Sequence, residues 1–216
     1  MTTESLDALF EAAVEQESDR PDAVADAADA VRRALTAVLR TRRDLPGLAK
    51  IAERVHALAD DLEPRATPGR DRVEAMWSGE SGGARHSPVS GARNAAALPV
   101  IWDRREDGAV EGHANFTVAY QGPAGFVHGG ISALILDVAL AVANRNAGSA
   151  GMTAGLTIRY LRPTPLYQDL TIRAWHESRE GRKIRSRGEI RVDGKVCVTA
   201  EGVFVAARTG ASNGDD

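Results

Sequence analysis

Asp137 stands alone among Ile131, Ala133, Leu134, Ile135, Leu136, Val138, Ala139, Leu140, Ala141, Val142 and Ala143. A helix apolar nearly all round is a helix to be buried. An unpaired carboxylate inside such a helix is costly, so it must be paired, protonated or employed. A bond to a nearby backbone or hydroxyl group is the plain structural alternative. His128-Gly129-Gly130 opens the same stretch. Two glycines allow close backbone approach, and the N–H groups of a first helical turn have no partner within the helix. They form a ready site for an oxyanion or a phosphate. Asp137 lies nine positions after His128, on the order of 12 Å along a helix. That is too far for both to grip one atom from the same chain. If they cooperate, a second copy must supply one of them, which predicts a site shared across a two-fold interface.

Other reactive side chains offer less. Cys197 sits in an apolar strand-like run with no histidine beside it and reads as core. His113 and His176 lie in strand-like segments without a partner pattern and read as surface, as does His56 on a helix. Five histidines and one cysteine show no metal-ligand spacing, so no metal and no separate cofactor are expected. Arg179, Arg182, Lys183, Arg185, Arg187 and Arg191 form a basic run. It is either a solvated strand face or a dock for phosphates through charge-assisted bonds. Strand parity puts Lys183, Arg185, Arg187 and Arg191 on one face, with Arg182 in the turn before them; Arg159 and Arg162 are further candidates.

The elements that must position these residues follow from periodicity. Pro99–Asp103 and Val110–Tyr120 read as strands split by the turn Glu106-Asp107-Gly108, then one helix runs from Gly129 to about Asn144. Four more strands follow: Thr153–Leu161, Leu170–Ser178, Lys183–Val192 and Lys195–Ala206, the last two joined by the hairpin signal Asp193-Gly194. The expectation is a consecutive, hairpin-linked antiparallel sheet with the long helix across its face. Ahead of it, Val24, Ala28, Val31, Leu35 and Val38, and then Leu48, Ile51, Val55, Leu58 and Leu62, are stripes of two amphipathic helices. The short link between them predicts an antiparallel hairpin. A weaker stripe, Leu6, Leu9, Phe10, Ala13 and Val14, suggests an earlier helix. Residues 65–97 are rich in Gly, Ser and Pro and read as a linker or mobile loop, with Trp77 as a docking anchor.

The chain thus divides into a helical extension (1–64), that linker, an α+β domain (98–208) and a disordered tail (209–216). Its 216 residues carry a net charge of −3, which speaks against a nucleic-acid partner. The extension holds 14 acidic against 8 basic side chains, the remainder 16 against 19, so the two parts present different surfaces. No apolar run reaches the ~18 residues of a membrane span. The start, MTTESLDALFEAAVEQE, lacks the order of a signal peptide, and the expected setting is the cytoplasm.

The stretch GPAGFVHGGISALILDVALA, with MTAGLTIRYLRPTPL and EGRKIRSRGEI further on, resembles the hotdog-fold acyl-CoA thioesterases of the PaaI-like type. It is most similar to the branch whose mitochondrial members act on long-chain acyl-CoA. The resemblance covers about residues 98–207. It implies an antiparallel sheet wrapped around one central helix, a homodimer or homotetramer, and hydrolysis of an acyl-CoA to the free acid and coenzyme A. It implies that Asp137 is the catalytic carboxylate, either base or nucleophile. It further implies that the Gly129 N–H in the His128-Gly129-Gly130 turn polarises the thioester carbonyl, and that Thr153 orients the water or the Asp. On this reading Gly130 and the basic residues Arg159, Arg162, Arg182, Lys183 and Arg185 bind the substrate, whose coenzyme A is the only cofactor-like group. The same fold also serves as the alternative of a non-catalytic acyl-CoA-binding regulator or scaffold. A hotdog-type hydratase ranks below both, since its His/Asp pairing is not evident.

Overall fold

The protein is described by a computed structural model covering residues 22–71, 83–105 and 107–207. The expected early helix around Leu6–Val14, Trp77 and the tail 209–216 lie outside the described residues. Six strands, β1 (Val100–Arg104), β2 (Val110–Asn115), β3 (Met152–Tyr160), β4 (Asp169–Glu180), β5 (Lys183–Val192) and β6 (Lys195–Val205), form one sheet with every neighbour antiparallel. The long helix, numbered α3 here (Gly129–Asn146), packs across one face of that sheet. This is the expected hotdog fold. One connection differs from the expectation. The strand order is β1-β2-β4-β5-β6-β3, so β3 forms no hairpin with β4 but crosses to the far edge and pairs with β6. The reason is α3 itself: it occupies the face between β2 and β3, and the chain emerges from it beyond the last strand.

Turn chemistry sets the hairpins. Asp193 and Gly194 both take positive φ, 48° and 73°, the backbone of a two-residue turn whose twist matches its strands. In the β1–β2 turn, Asp107 Oδ1 accepts the Ala109 N–H at 3.0 Å and Gly108 has φ 80°. Gly148, φ 65°, ends α3.

The core lies between α3 and the inward face of the sheet. Ile135, Leu136, Ala139, Leu140 and Ala143 of α3 are fully buried against Val110, Ile172, Ile184 and Phe204. A buried polar bridge crosses this interface. Buried Asn144 donates to Ser186 Oγ at 3.2 Å, and its Oδ1 lies 3.1 Å from His176 Nδ1. His176 is therefore not a surface residue: it sits opposite Ser186 in the β4–β5 register, on the side that faces α3. Cys197 is buried, as its apolar strand suggested.

The two helices of the extension form where expected, α1 at Ala23–Leu39 and α2 at Leu48–Leu62. Their stripes do not close on each other. Val24, Val31, Leu35 and Val38 of α1 and Ile51, Val55, Leu58 and Leu62 of α2 are all exposed. Among the described residues, α1 is fastened to the domain by side-chain bonds. Asp22 caps it, accepting from the Val24 and Ala25 N–H groups, and binds Arg93 at 2.7 Å and Arg85 at 3.4 Å. Those arginines belong to the second half of the expected linker. From residue 83 on, that half is a packed strap, with Val89, Ala97 and Leu98 buried and Ser87 and Asn94 closing local turns.

The Arg93 hydrogen bond, aided by the helix N–H groups and against a desolvation penalty, holds the Asp22 carboxyl below the ordinary carboxylate range. A depressed folded-state pKa stabilises above the usual value and is lost as the pH falls through the folded one. Hydrogen exchange should therefore show α1 loosening ahead of α3 once the pH drops below about 4, and Asp22→Asn should loosen it already at neutral pH. Asn144→Ala strands the polar groups of Ser186 and His176 in the core. It should lower stability by about 1–3 kcal/mol in denaturant titrations.

Candidate active site

The site is built where α3 begins and where it faces away from its own sheet. His128 caps the helix: its Nδ1 accepts the Gly130 N–H at 3.0 Å, and its carbonyl accepts from Ile131 and Ser132. Gly129 is the first helical residue, so its N–H has no partner within the helix. Three further groups hold this turn. The His128 N–H donates to the Tyr120 carbonyl at 2.9 Å, and the Val127 N–H to Thr164 at 2.8 Å. The Tyr160 hydroxyl donates to the Gly129 carbonyl at 2.9 Å.

Glycine is required around the turn for clearance. A β-carbon on Gly122 would stand 2.8 Å from the His128 Cα, and one on Gly129 3.2 Å from the Tyr160 ring. Gly122 and Tyr160 were not singled out by the sequence. A glycine seven residues before a helix and a tyrosine at a strand end carry no local signal of this contact.

Asp137 lies on the opposite aspect of α3 from the buried core. It is half-buried, in a stripe with exposed Leu134 and partly buried Val138 and Ala141, the side that the chain's own sheet leaves open. Its partner is Thr153 of β3, whose hydroxyl donates to Asp137 Oδ1 at 2.9 Å. Simple alternation would put Thr153 on the same face as Thr157 and Arg159. A register shift between Thr153 and Gly155 reverses this and sets Thr153 opposite buried Phe204, toward α3. With Oδ1 engaged, Oδ2 remains for another donor. The chain does not bring Asp137 and the Gly129 N–H together: about two turns of helix separate them.

The basic residues lie elsewhere. Ile184, Ser186 and Ile190 of β5 are buried against α3, so Lys183, Arg185 and Arg187 point from the other face, in the parity expected. Arg159 sits opposite Thr199, which sits opposite Glu189, on that same outer face. Arg187 is engaged with Glu177 at 2.9 Å, and Arg191 with Glu189 at 2.7 Å. Arg162 binds the Val196 carbonyl and Arg182 the Ala206 carbonyl. Within one chain, Arg159, Lys183 and Arg185 are thus on the far side of the sheet from Asp137. Among the described residues, no three His, Cys, Asp or Glu side chains are grouped to hold a metal.

The thioesterase superfamily profile matches residues 124–199, the stretch that holds His128, Gly129, Asp137 and Thr153. The crystal structure of a thioesterase superfamily protein is 47% identical, with a TM-score of 0.78 over 88% of this chain and 94% of that one. The chain belongs to the thioesterase superfamily. Among individual proteins, it is 38% identical over 87 residues to the acyl-coenzyme A thioesterase THEM4 of Bos taurus, covering 39% of this chain and 35% of that protein. It is 42% identical over 64 residues to THEM4 of Mus musculus, covering 30% and 27%. The matches thus span about a third of those relatives' length.

Clearance at Gly122 yields a direct test. Gly122→Ala presses on the backbone of His128, which cannot yield as a side-chain tip can. An activity loss approaching 100-fold is expected from displacing the turn by about 1 Å, with circular dichroism unchanged. The measurement is turnover of a thioester substrate by the purified variant.

Proposed function

We propose that the protein hydrolyses an acyl-CoA thioester, with Asp137 of one chain and the Gly129 N–H of a second copy forming each site. The observation that carries this is the Thr153–Asp137 bond on the uncovered side of α3. A carboxylate there is oriented through one oxygen and still open to water through the other. It takes a proton from a water molecule as the water attacks the thioester carbonyl. The carbonyl oxygen gains negative charge, which the Gly129 N–H meets at the positive end of α3. The C–S bond then breaks, the proton passes to the leaving sulfur, and the products are a carboxylic acid and the coenzyme A thiol. Thr153 positions Asp137, while His128 and Tyr160 position the turn.

The second copy is supported by what a single chain leaves uncovered. β3 is an edge strand with Met152 and Tyr160 exposed, and such an edge invites pairing. It borders the open stripe of α3, so a homodimer formed there covers both and carries a foreign helix start toward Asp137. Arg159, Arg162, Arg182, Lys183 and Arg185, with Gly130 of the turn, are then the candidates for the coenzyme A phosphates and pantetheine. The mechanism needs no metal.

Asp137→Ala should lower kcat by about 10²- to 10⁴-fold without loss of fold, read by free-thiol release from a panel of acyl-CoA esters. Gly129→Pro removes the N–H at a first helical position that tolerates proline and should be similarly inactive, while Gly129→Ala, which adds the same β-carbon 3.2 Å from the Tyr160 ring but keeps the N–H, is the control and should retain more activity. Co-refolding the two inactive variants tests the sharing. Statistical mixing leaves half the dimers mixed, each with one intact site of two, so about one quarter of wild-type activity should return. No recovery would place both groups in one chain's site and sink the shared arrangement.

A further inference from the structure

Between α1 and the turn that follows β2 lies a cleft of about 380 Å³, within the range of small-molecule sites. Arg32, Arg33, Arg40 and Ala37 of α1 form one wall; Pro99 and Tyr120 contribute to the other. The charge is one-sided. Among the described residues, no carboxylate lines the cleft. Asp29, just outside, meets Arg32 at 3.1 Å and Arg33 at 3.7 Å and offsets one of the three positive charges. Arg32 also donates to the Asn94 carbonyl at 3.1 Å, yet its Nε is buried without a hydrogen-bond partner. With Arg33 and Arg40, Arg32 makes that wall one of guanidinium donors, the partners an anion takes. Tyr120 is half-buried, its hydroxyl donates to the Ala97 carbonyl at 3.5 Å, and burial pushes its phenol up, so its neutral ring completes an apolar floor with Ala37 and Pro99.

We propose that this cleft binds a carboxylic acid with an apolar body, its carboxylate on the arginine wall of α1 and its chain along Ala37, Pro99 and the Tyr120 ring. Guanidinium forks match a carboxylate in two parallel bonds. The apolar floor selects against a bare phosphate, which would leave that surface empty. The site is distinct from the one around Asp137 but is joined to it: the Tyr120 carbonyl holds the His128 N–H at 2.9 Å. A ligand seated on Tyr120 thereby steadies the turn that opens α3.

The test is calorimetric, on the full chain, and needs no turnover, so it stands or falls independently of thioester hydrolysis. Decanoate, decanol and inorganic phosphate are titrated into the wild type, into Arg32→Gln/Arg40→Gln and into Ala37→Trp, whose exposed position accepts the larger side chain and fills the cleft. Decanoate is expected to bind the wild type and to weaken by about tenfold or more in both variants, with decanol and phosphate weaker than decanoate throughout. Decanoate binding that both variants leave unchanged would locate it around Asp137 and overturn the assignment. Phosphate binding as tightly as decanoate would overturn the ligand class.

Discussion

Helix α3 has more apolar surface than its own sheet can cover, and the rest of the molecule follows from how that surface is divided. Ile135, Leu136, Ala139 and Leu140 face the sheet and are fully buried. Leu134, Val138 and Ala141 share the other side with Asp137. The carboxylate therefore meets neither of the two ordinary fates of an acid in an apolar helix: it is not sealed in a core where ionisation would be prohibitive, and it is not simply solvated. It is half-covered, held through one oxygen by Thr153 at 2.9 Å. A group in that position is oriented by one hydrogen bond, the arrangement that the proposed activation of water calls for.

The beginning of the same helix is fixed by backbone, not by side-chain chemistry. Tyr120, Thr164 and Tyr160 each hold one main-chain group of residues 127–129. His128 serves as a cap, its Nδ1 engaged by Gly130. The glycines give clearance for these close approaches. The turn is thus held by three separate segments of chain, so the orientation of the Gly129 N–H is set by the fold, as its proposed role of carbonyl donor requires.

The extension is tied to this arrangement through α1. Asp22, Arg93 and Asn94 fasten α1 to the strap at 83–98, and the strap passes its buried residues, Val89 and Leu98, into the main core. α2 shares none of this and buries none of its residues. The amphipathic pattern of both helices is genuine, but a stripe records only that one side is apolar. It does not say whether a strap, a neighbouring helix or another chain will cover it, and in the single chain both stripes lie exposed.

From residues alone, the lone carboxylate in an apolar helix, the helix-opening glycines, every strand of the sheet and the separation that forbids one chain from uniting Asp137 with Gly129 were legible. All are local or one-dimensional properties: periodicity, turn chemistry and rise per residue. Tertiary structure decided the rest. The crossing of β3 to the far edge depends on where α3 lies. The reversal that turns Thr153 toward Asp137 comes from one unpaired residue in β3, which parity cannot anticipate. His176 looked like surface because its partners, Asn144 and Ser186, are 32 residues before it and 10 after it in the chain. Tyr160 and Gly122 acquire their roles only from distances to the His128 turn. Sequence pattern records which side chains a segment offers; only the packed chain sets which of them meet, because contact energies fall off within a few ångströms and the chain's order does not encode those distances.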